Sequence, residues 1–240
     1  MRHKSLVKFL SLSIMLIICS GFVIKFAGEN LLKQYISYGI GDCKNIPILC
    51  MEPLEKVIRP LDAGQDYILE LMPQEFPRMI ISCPKGFAIV QELIIKPFYK
   101  KNKRLDKGAA IYLLHQEPGA FLKLYPDVKK RGVNDNYEFM QRLSNANLSK
   151  VKNITDAFFV IMKSVFTPDL GNQKIAKMIK FQMDNKRGFI NYNLSQPNNY
   201  FDCNIIDSRD NFYKVYIKDR GAKLDLNKVY AIISTIKPLE

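Results

Sequence analysis

The chain has no tryptophan and only two histidines in 240 residues. His3 lies at the extreme N-terminus, so His115 is the one imidazole in the rest of the sequence. That shortage excludes zinc sites of the His-x-x-x-His kind, and paired Cys-x-x-Cys ligands are missing as well. There is no Gly-x-Ser-x-Gly elbow for a serine hydrolase. Walker and dinucleotide-binding glycine patterns are also absent. No metal or cofactor is therefore expected. Acidic residues are scarce relative to basic ones, 23 against 36, for a formal charge of +13. Repeats and low-complexity segments are lacking.

One long apolar run is present. Arg2, His3, Lys4 and Lys8 precede an unbroken stretch from Phe9 to Ile24, closed by Lys25. A positive flank followed by an apolar segment marks an export signal or an uncleaved signal anchor. The lysines are retained on the cytoplasmic side, which places the chain after Lys25 across the membrane. The run itself is about 16 residues, short of the roughly 20 that span a bilayer core. Counting residues 6–28 with snorkelling lysines makes up the difference. Three fates compete: a retained single-pass anchor, a signal peptide cleaved near Cys19-Ser20-Gly21, and a lipoprotein signal with Cys19 lipidated. The anchor is favoured because apolar character resumes at Phe22-Val23-Ile24. Ile18 before Cys19 argues against a lipobox. The expected location is single-pass membrane with the C-terminal domain outside the cytoplasm, or secreted or periplasmic after cleavage.

Export sets the reading of charge and cysteine. A basic exterior suits anionic lipid or an acidic envelope polymer, and export argues against nucleic acid. A solvated basic surface explains the charge equally well. Outside the apolar run stand Cys43, Cys50, Cys83 and Cys203, an even number in a chain expected to meet an oxidising compartment. The least strained pairing joins Cys43 to Cys50 and Cys83 to Cys203; four free buried thiols are the plain alternative.

Three parts are expected: residues 1–28 as signal anchor or signal peptide, 29–76 as a helical and loop accessory region, and 77–240 as an α+β extracytoplasmic domain. Leu31, Leu32, Tyr35 and Ile36 lie at helical spacing directly after the apolar segment. Such an amphipathic helix either lies on the membrane surface or packs onto the domain. A second helical stretch is expected around Leu54 to Ile58. Further on, Met79–Ser82 reads as a strand. Ala88–Ile95 and Ala109–His115 read as arms of a hairpin joined by the basic connection Lys96–Lys107. Asp135 with Glu138 has capping-box spacing for a helix carrying Tyr137, Met140 and Leu143. Phe158–Phe166 fits either helix or strand, with Thr155 or Asp156 as a cap. Two hairpins follow, around Asp184–Gly188 and Asp207–Asn211. In the second, Tyr213, Val215 and Ile217 are expected in a core, with Lys214, Tyr216 and Lys218 toward solvent. Asp225 caps a last helix bearing Leu226, Val229, Ile232, Ile233 and Ile236. The sum is an antiparallel sheet built from hairpins, with helices packed on it.

For chemistry, Cys83 with His115 is the one thiol–imidazole pair available, and it needs the two side chains within hydrogen-bond reach. A disulfide or an inert thiol is the simpler reading of Cys83. Glu70 with Glu75 and Asp207 with Asp210 are carboxylate pairs, the second better explained by turn chemistry. Lys100, Lys101, Lys103 and Arg104, beside Phe98 and Tyr99, form the candidate binding segment, with Lys129-Lys130-Arg131 as a second basic run. The expected function is a non-catalytic envelope protein binding a partner, an envelope component or an anionic surface. The alternatives are an exported enzyme with a Cys83/His115 centre and a carrier of lipid or a small ligand.

Overall fold

Capping residues and period-two apolar patterning dictate an α+β fold, and the computed structural model has one; it describes residues 28–57, 71–76, 78–91, 109–168, 170–171, 173–195 and 197–239. The apolar segment 9–24, Glu70 and the basic cluster Lys100 to Arg104 lie outside the described residues. Among the described residues no helix is long and apolar enough to cross a membrane.

The chain runs through helix α1 (28–39), strands β1 (Leu54–Val57), β2 (Leu71–Phe76), β3 (Met79–Pro84), β4 (Ala88–Gln91) and β5 (Ala110–Gln116). Helices α2 (Ala120–Leu124), α3 (Asn136–Asn145) and α4 (Ile154–Phe166) follow. Strands β6 (Lys177–Met183), β7 (Lys186–Ser195), β8 (Asn198–Asp207) and β9 (Phe212–Arg220), helix α5 (Leu226–Ser234) and the short β10 (Lys237–Pro238) complete it. Among these residues a seven-stranded sheet has the order β1-β6-β7-β8-β9-β5-β4, and a small sheet has the order β10-β3-β2.

The large sheet is mixed, which corrects the expectation of a purely antiparallel one. Its centre is antiparallel, but β1 pairs parallel to β6 and β4 parallel to β5. The described parts of the two segments expected as arms of a hairpin, Ala88–Gln91 and Ala110–Gln116, therefore run side by side in one direction. A parallel pair needs a connection of about a dozen residues or more, and the stretch between β4 and β5 has the length for it. Leu54–Val57 is likewise an edge strand and not a helix, because it finds a partner in β6. The β6–β7 and β8–β9 hairpins form as expected. The first turn is tighter than its sequence suggests: Met183 pairs with Lys186, and Asp184 takes a left-handed φ of 42°.

Helix starts follow their caps. Asp135 accepts the Glu138 N–H at 2.6 Å, and Glu138 reaches back to the Asn134 N–H at 2.7 Å, one residue short of a true box. Asp225 accepts the Lys228 N–H at 2.9 Å. The 158–166 stretch is helical, capped by Asn153 rather than by Thr155 or Asp156, since the Asn153 side chain accepts the Asp156 N–H.

Both faces of the large sheet are covered. On one, Phe181, Phe201, Val215 and Ile217 pack against Ile81 of β3 and Val229 and Ile233 of α5. On the other, Phe189, Ile206 and Phe212 pack against Phe121, Phe139 and Phe166 of the helices. The turn of α4 away from the sheet carries Ala157 and Val160, which meet Ile36 of α1. The expectation that Lys214 and Tyr216 face solvent fails: the end of α4 covers Lys214, Ile48 and Leu170 cover Tyr216, and both are buried.

The covered positions hold a polar layer between two apolar ones. Along β9, Phe212 belongs to the helix-facing core, Lys214 to the polar layer, and Tyr216 to a second apolar cluster with Met178 and Leu170. Lys214 donates to the Phe166 carbonyl at the end of α4, 2.8 Å away. Two other buried lysines act alike. Lys163 donates to the carbonyls of Ser144 and Ala146 at the end of α3, and Lys186 to that of Ser234 at the end of α5. Each supplies a cation to carbonyls left unpaired at a helix C-terminus.

Candidate functional site

The sequence pointed for function to the thiols with His115, the carboxylate pairs and the basic segments Lys100–Arg104 and Lys129–Arg131, and it placed an amphipathic helix after the apolar segment. The structure separates them.

Cys43 and Cys50 are disulfide-bonded, with Cα atoms 5.6 Å apart, an ordinary spacing. Cys83 and Cys203 are not. Both are free and buried within one apolar cluster, Cys83 on the small sheet and Cys203 in the centre of the large one. The second expected bridge is thus absent. Burial pushes the Cys83 thiol up to about 12 and raises that of Cys203, Asp202 adding to the effect there. A nucleophilic thiol requires the opposite shift.

His115 stands at the end of β5, where Nε2 lies 3.3 Å from Asn211 Oδ1 and the ring stacks against Tyr213 at 5.0 Å. Burial lowers its pKa, partly offset by the Asn211 bond. The hollow beside it, about 310 Å³, is lined by Arg78, Glu117, Arg209 and Asn211, with Arg78 and Glu117 ion-paired. His115 Nε2 is taken by Asn211 and the buried Nδ1 has no hydrogen-bond partner, so the thiol–imidazole pair is not assembled.

The Asp207/Asp210 pair is structural, and does more than turn chemistry. Asp207 Oδ1 accepts the N–H groups of Arg209 and Asn211, while Oδ2 accepts the Tyr213 hydroxyl. Asp210 accepts the N–H groups of Gly119 and Asn136, tying the turn to the helix layer. Burial raises its pKa, and those N–H groups pull it back. The Asn136 amide completes the junction by donating to the carbonyls of Glu117 and Asp210. Among the described residues no group of His, Cys, Asp and Glu is placed to hold a metal.

The remaining surface is formed by α1 and the start of α4. Residues 32, 36 and 40 of the α1 region turn inward: Ile36 is buried, with Leu32 and Ile40 against the same cluster. Leu31, Tyr35 and Tyr38 form a second stripe at i, i+4 and i+7 that faces out, at 65%, 76% and 96% exposure. Ile154, first residue of α4, is 69% exposed beside them. Together they line an open, largely apolar groove of about 1150 Å³. Lys152 and Thr155 also border a neighbouring polar cleft of about 850 Å³, with Arg142, Lys150 and Asp156. Arg131, from the second basic run, donates to the Thr155 hydroxyl at this rim.

The groove is held in shape. The disulfide closes the loop after α1, and Asn147 donates to the Cys50 carbonyl at 3.1 Å. Lys163 donates to the Met51 carbonyl at 2.7 Å, and Lys150 pairs with Glu52. Asp156 accepts the Lys152 N–H, fixing the entry to α4. Sequence inspection placed Leu31, Leu32, Tyr35 and Ile36 on one face. At 100° per residue they are two adjacent faces, one packed and one bare, and the helical period held that signal.

No protein-family model matches the chain, and no curated protein or solved structure matches it either.

Proposed function

We propose that this is a non-catalytic, membrane-tethered envelope protein whose basic α+β domain works outside the cytoplasm as a binding module. The observation that carries it is the bare apolar stripe Leu31–Tyr35–Tyr38, which begins a few residues after the apolar run Phe9–Ile24. Contiguous exposed apolar surface marks a contact site rather than ordinary exterior. Two further features support the reading. Cys43 and Cys50 are bonded, as suits an oxidising compartment. The thiol–imidazole pair on which the enzyme alternative rests is not assembled. The basic segment Lys100, Lys101, Lys103 and Arg104 remains part of the proposed anionic binding surface.

Thiol trapping in cells tests the compartment. The full chain is expressed in a bacterial host, quenched with acid, alkylated and mapped without reduction. Cys43 and Cys50 are expected as one linked peptide, with Cys83 and Cys203 carrying the alkyl group. Full alkylation of all four after rapid quenching contradicts an extracytoplasmic domain.

A further inference from the structure

We propose that the outer stripe of α1, with Ile154, seats in the headgroup interface of an anionic bilayer and fixes the domain in one orientation on the membrane. This rests on the reading of residues 6–28 as a membrane anchor.

Four observations converge on a bilayer as the occupant. The first is position. Leu31 follows Ile24 by seven residues, so even a fully extended chain keeps it within about 25 Å of the end of the apolar run. The second is composition. Two of the three stripe residues on α1 are tyrosines, whose ring and hydroxyl suit the boundary between hydrocarbon and water. The third is charge. The chain carries 36 basic residues against 23 acidic ones, and basic residues near the surface draw anionic lipid. At the rim itself the charges balance, Lys150 pairing with Glu52 and Lys152, Arg131 and Arg142 standing against Glu29, Asp156 and Glu138, so no acidic excess opposes contact there. The fourth is rigidity. The disulfide and the Asn147 and Lys163 bonds hold the loop after α1, so the stripe is preformed and little ordering is needed on contact.

A helix that packs on a domain with one stripe and shows a second to solvent has more apolar surface than folding uses. An interfacial helix lies with its apolar face sunk into the headgroup boundary, and α1 offers that face beside the exposed start of α4.

The absence of tryptophan makes the test clean, because one introduced indole reports alone. Full-length Tyr38→Trp, Ile154→Trp and Leu194→Trp chains are reconstituted into vesicles of phosphatidylcholine and phosphatidylglycerol, with and without brominated acyl chains. Leu194 is also exposed but follows Ile190 and Tyr192 on the sheet face that α5 covers, opposite α3 and α4. Tyr38→Trp and Ile154→Trp are expected to shift to the blue and to lose roughly half of their emission or more to bromine, with Leu194→Trp unaffected. Adding Tyr35→Asp to Tyr38→Trp is expected to reverse the quenching. Tyr38 is almost wholly exposed, so its replacement leaves the fold intact. Vesicle flotation separates the two levels of the reading. A chain that floats while Tyr38→Trp behaves like Leu194→Trp overturns the docking alone. A chain that does not float overturns the anchor and the docking together. A blue shift without bromine quenching, accompanied by a cross-linked dimer, assigns the stripe to a second copy and overturns the proposal.

Discussion

Lys214 Nζ lies 2.7 Å from Asp202 Oδ1, on adjacent strands β9 and β8, under α4 and out of contact with water. Asp202 also accepts from Asn191 at 3.0 Å, and Lys214 also donates to the Phe166 carbonyl. A charge taken out of water is tolerated only when its partners replace the hydration it loses. The ammonium donates to the Phe166 carbonyl and to Asn204 Oδ1, and the Asp202 carboxylate beside it supplies the opposite charge. Among the described residues three lysines, Lys163, Lys186 and Lys214, and three aspartates, Asp202, Asp207 and Asp219, serve the interior, so the excess of basic charge stays with the surface.

Breaking that pair from either side should be severe. Lys214→Met and Asp202→Leu are each expected to cost about 3–5 kcal/mol, since each leaves one buried charge uncompensated. The double variant is expected to recover part of the loss. Urea unfolding of the full chain in detergent, followed by tyrosine signals, measures the coupling.

Lys163 links stability to pH. Burial pulls its pKa from 10.5 down to about 7, with Glu52 opposing the shift. The folded pKa lies below the unfolded one, so between the two the unfolded chain binds more protons. Stability from this group then rises with pH across that window, by up to about 1.4 kcal/mol per pH unit. Below pH 7 its penalty is constant and fully present. Lys163→Met is expected to remove the slope, so its cost, from the lost donor to the carbonyls of Met51, Ser144 and Ala146, is smallest at neutral pH and grows as the pH rises above 7. Denaturant midpoints at several pH values, wild type minus variant, read both effects.

Gly188 has no room for a side chain. A Cβ there would lie 2.0 Å from the Asn204 carbonyl oxygen, a backbone atom held by the β7–β8 pairing. Gly188→Ala is expected to cost several kcal/mol, on the order of 3 or more, or to prevent folding. Gly39, with nothing within 4 Å of its Cβ position at the end of α1, is the control. Gly39→Ala is expected to be neutral or to stabilise by up to about 1 kcal/mol.

The four cysteines outside the apolar run should divide into two classes. Loss of the Cys43–Cys50 bridge, by Cys43→Ser with Cys50→Ser, is expected to cost about 2.5 kcal/mol for so short a loop. Cys83 and Cys203 are expected to resist iodoacetamide until the chain unfolds. Their folded-state labelling should stay flat between about pH 6 and 9, because burial keeps the thiols protonated there.

Much of this architecture was legible from local rules. Asp135 and Asp225 announce their helices because a side-chain acceptor three residues before a free N–H is a local signal. The two late hairpins announce themselves through alternation and polar turns. Pairing direction is not local. Ala88–Gln91 and Ala110–Gln116 look alike whether joined by a hairpin or a crossover, and only the tertiary fold makes them parallel. Lys214 was misplaced because alternation reveals two faces of a strand without saying what covers the second. A clue existed in β8: Asp202 and Asn204 interrupt an apolar strand at the same parity, Asn204 directly opposite Lys214 and Asp202 opposite Tyr216. The Cys83–His115 pair failed for a similar reason, since nothing in the sequence says that Cys83 is buried in an apolar cluster while the His115 ring turns to Asn211. The stripe on α1 was half legible, because its apolar spacing is visible while the share that α4 covers is not.

Protease accessibility in intact spheroplasts of an expressing bacterium tests the membrane-tethered, extracytoplasmic reading most directly. External protease is expected to digest residues 28–240 while a fragment beginning at Met1 stays in the membrane pellet. A full-length chain that is protected from protease and released with the cytoplasm on lysis contradicts it, and the proposals of tether, exterior compartment and bilayer docking fall with it.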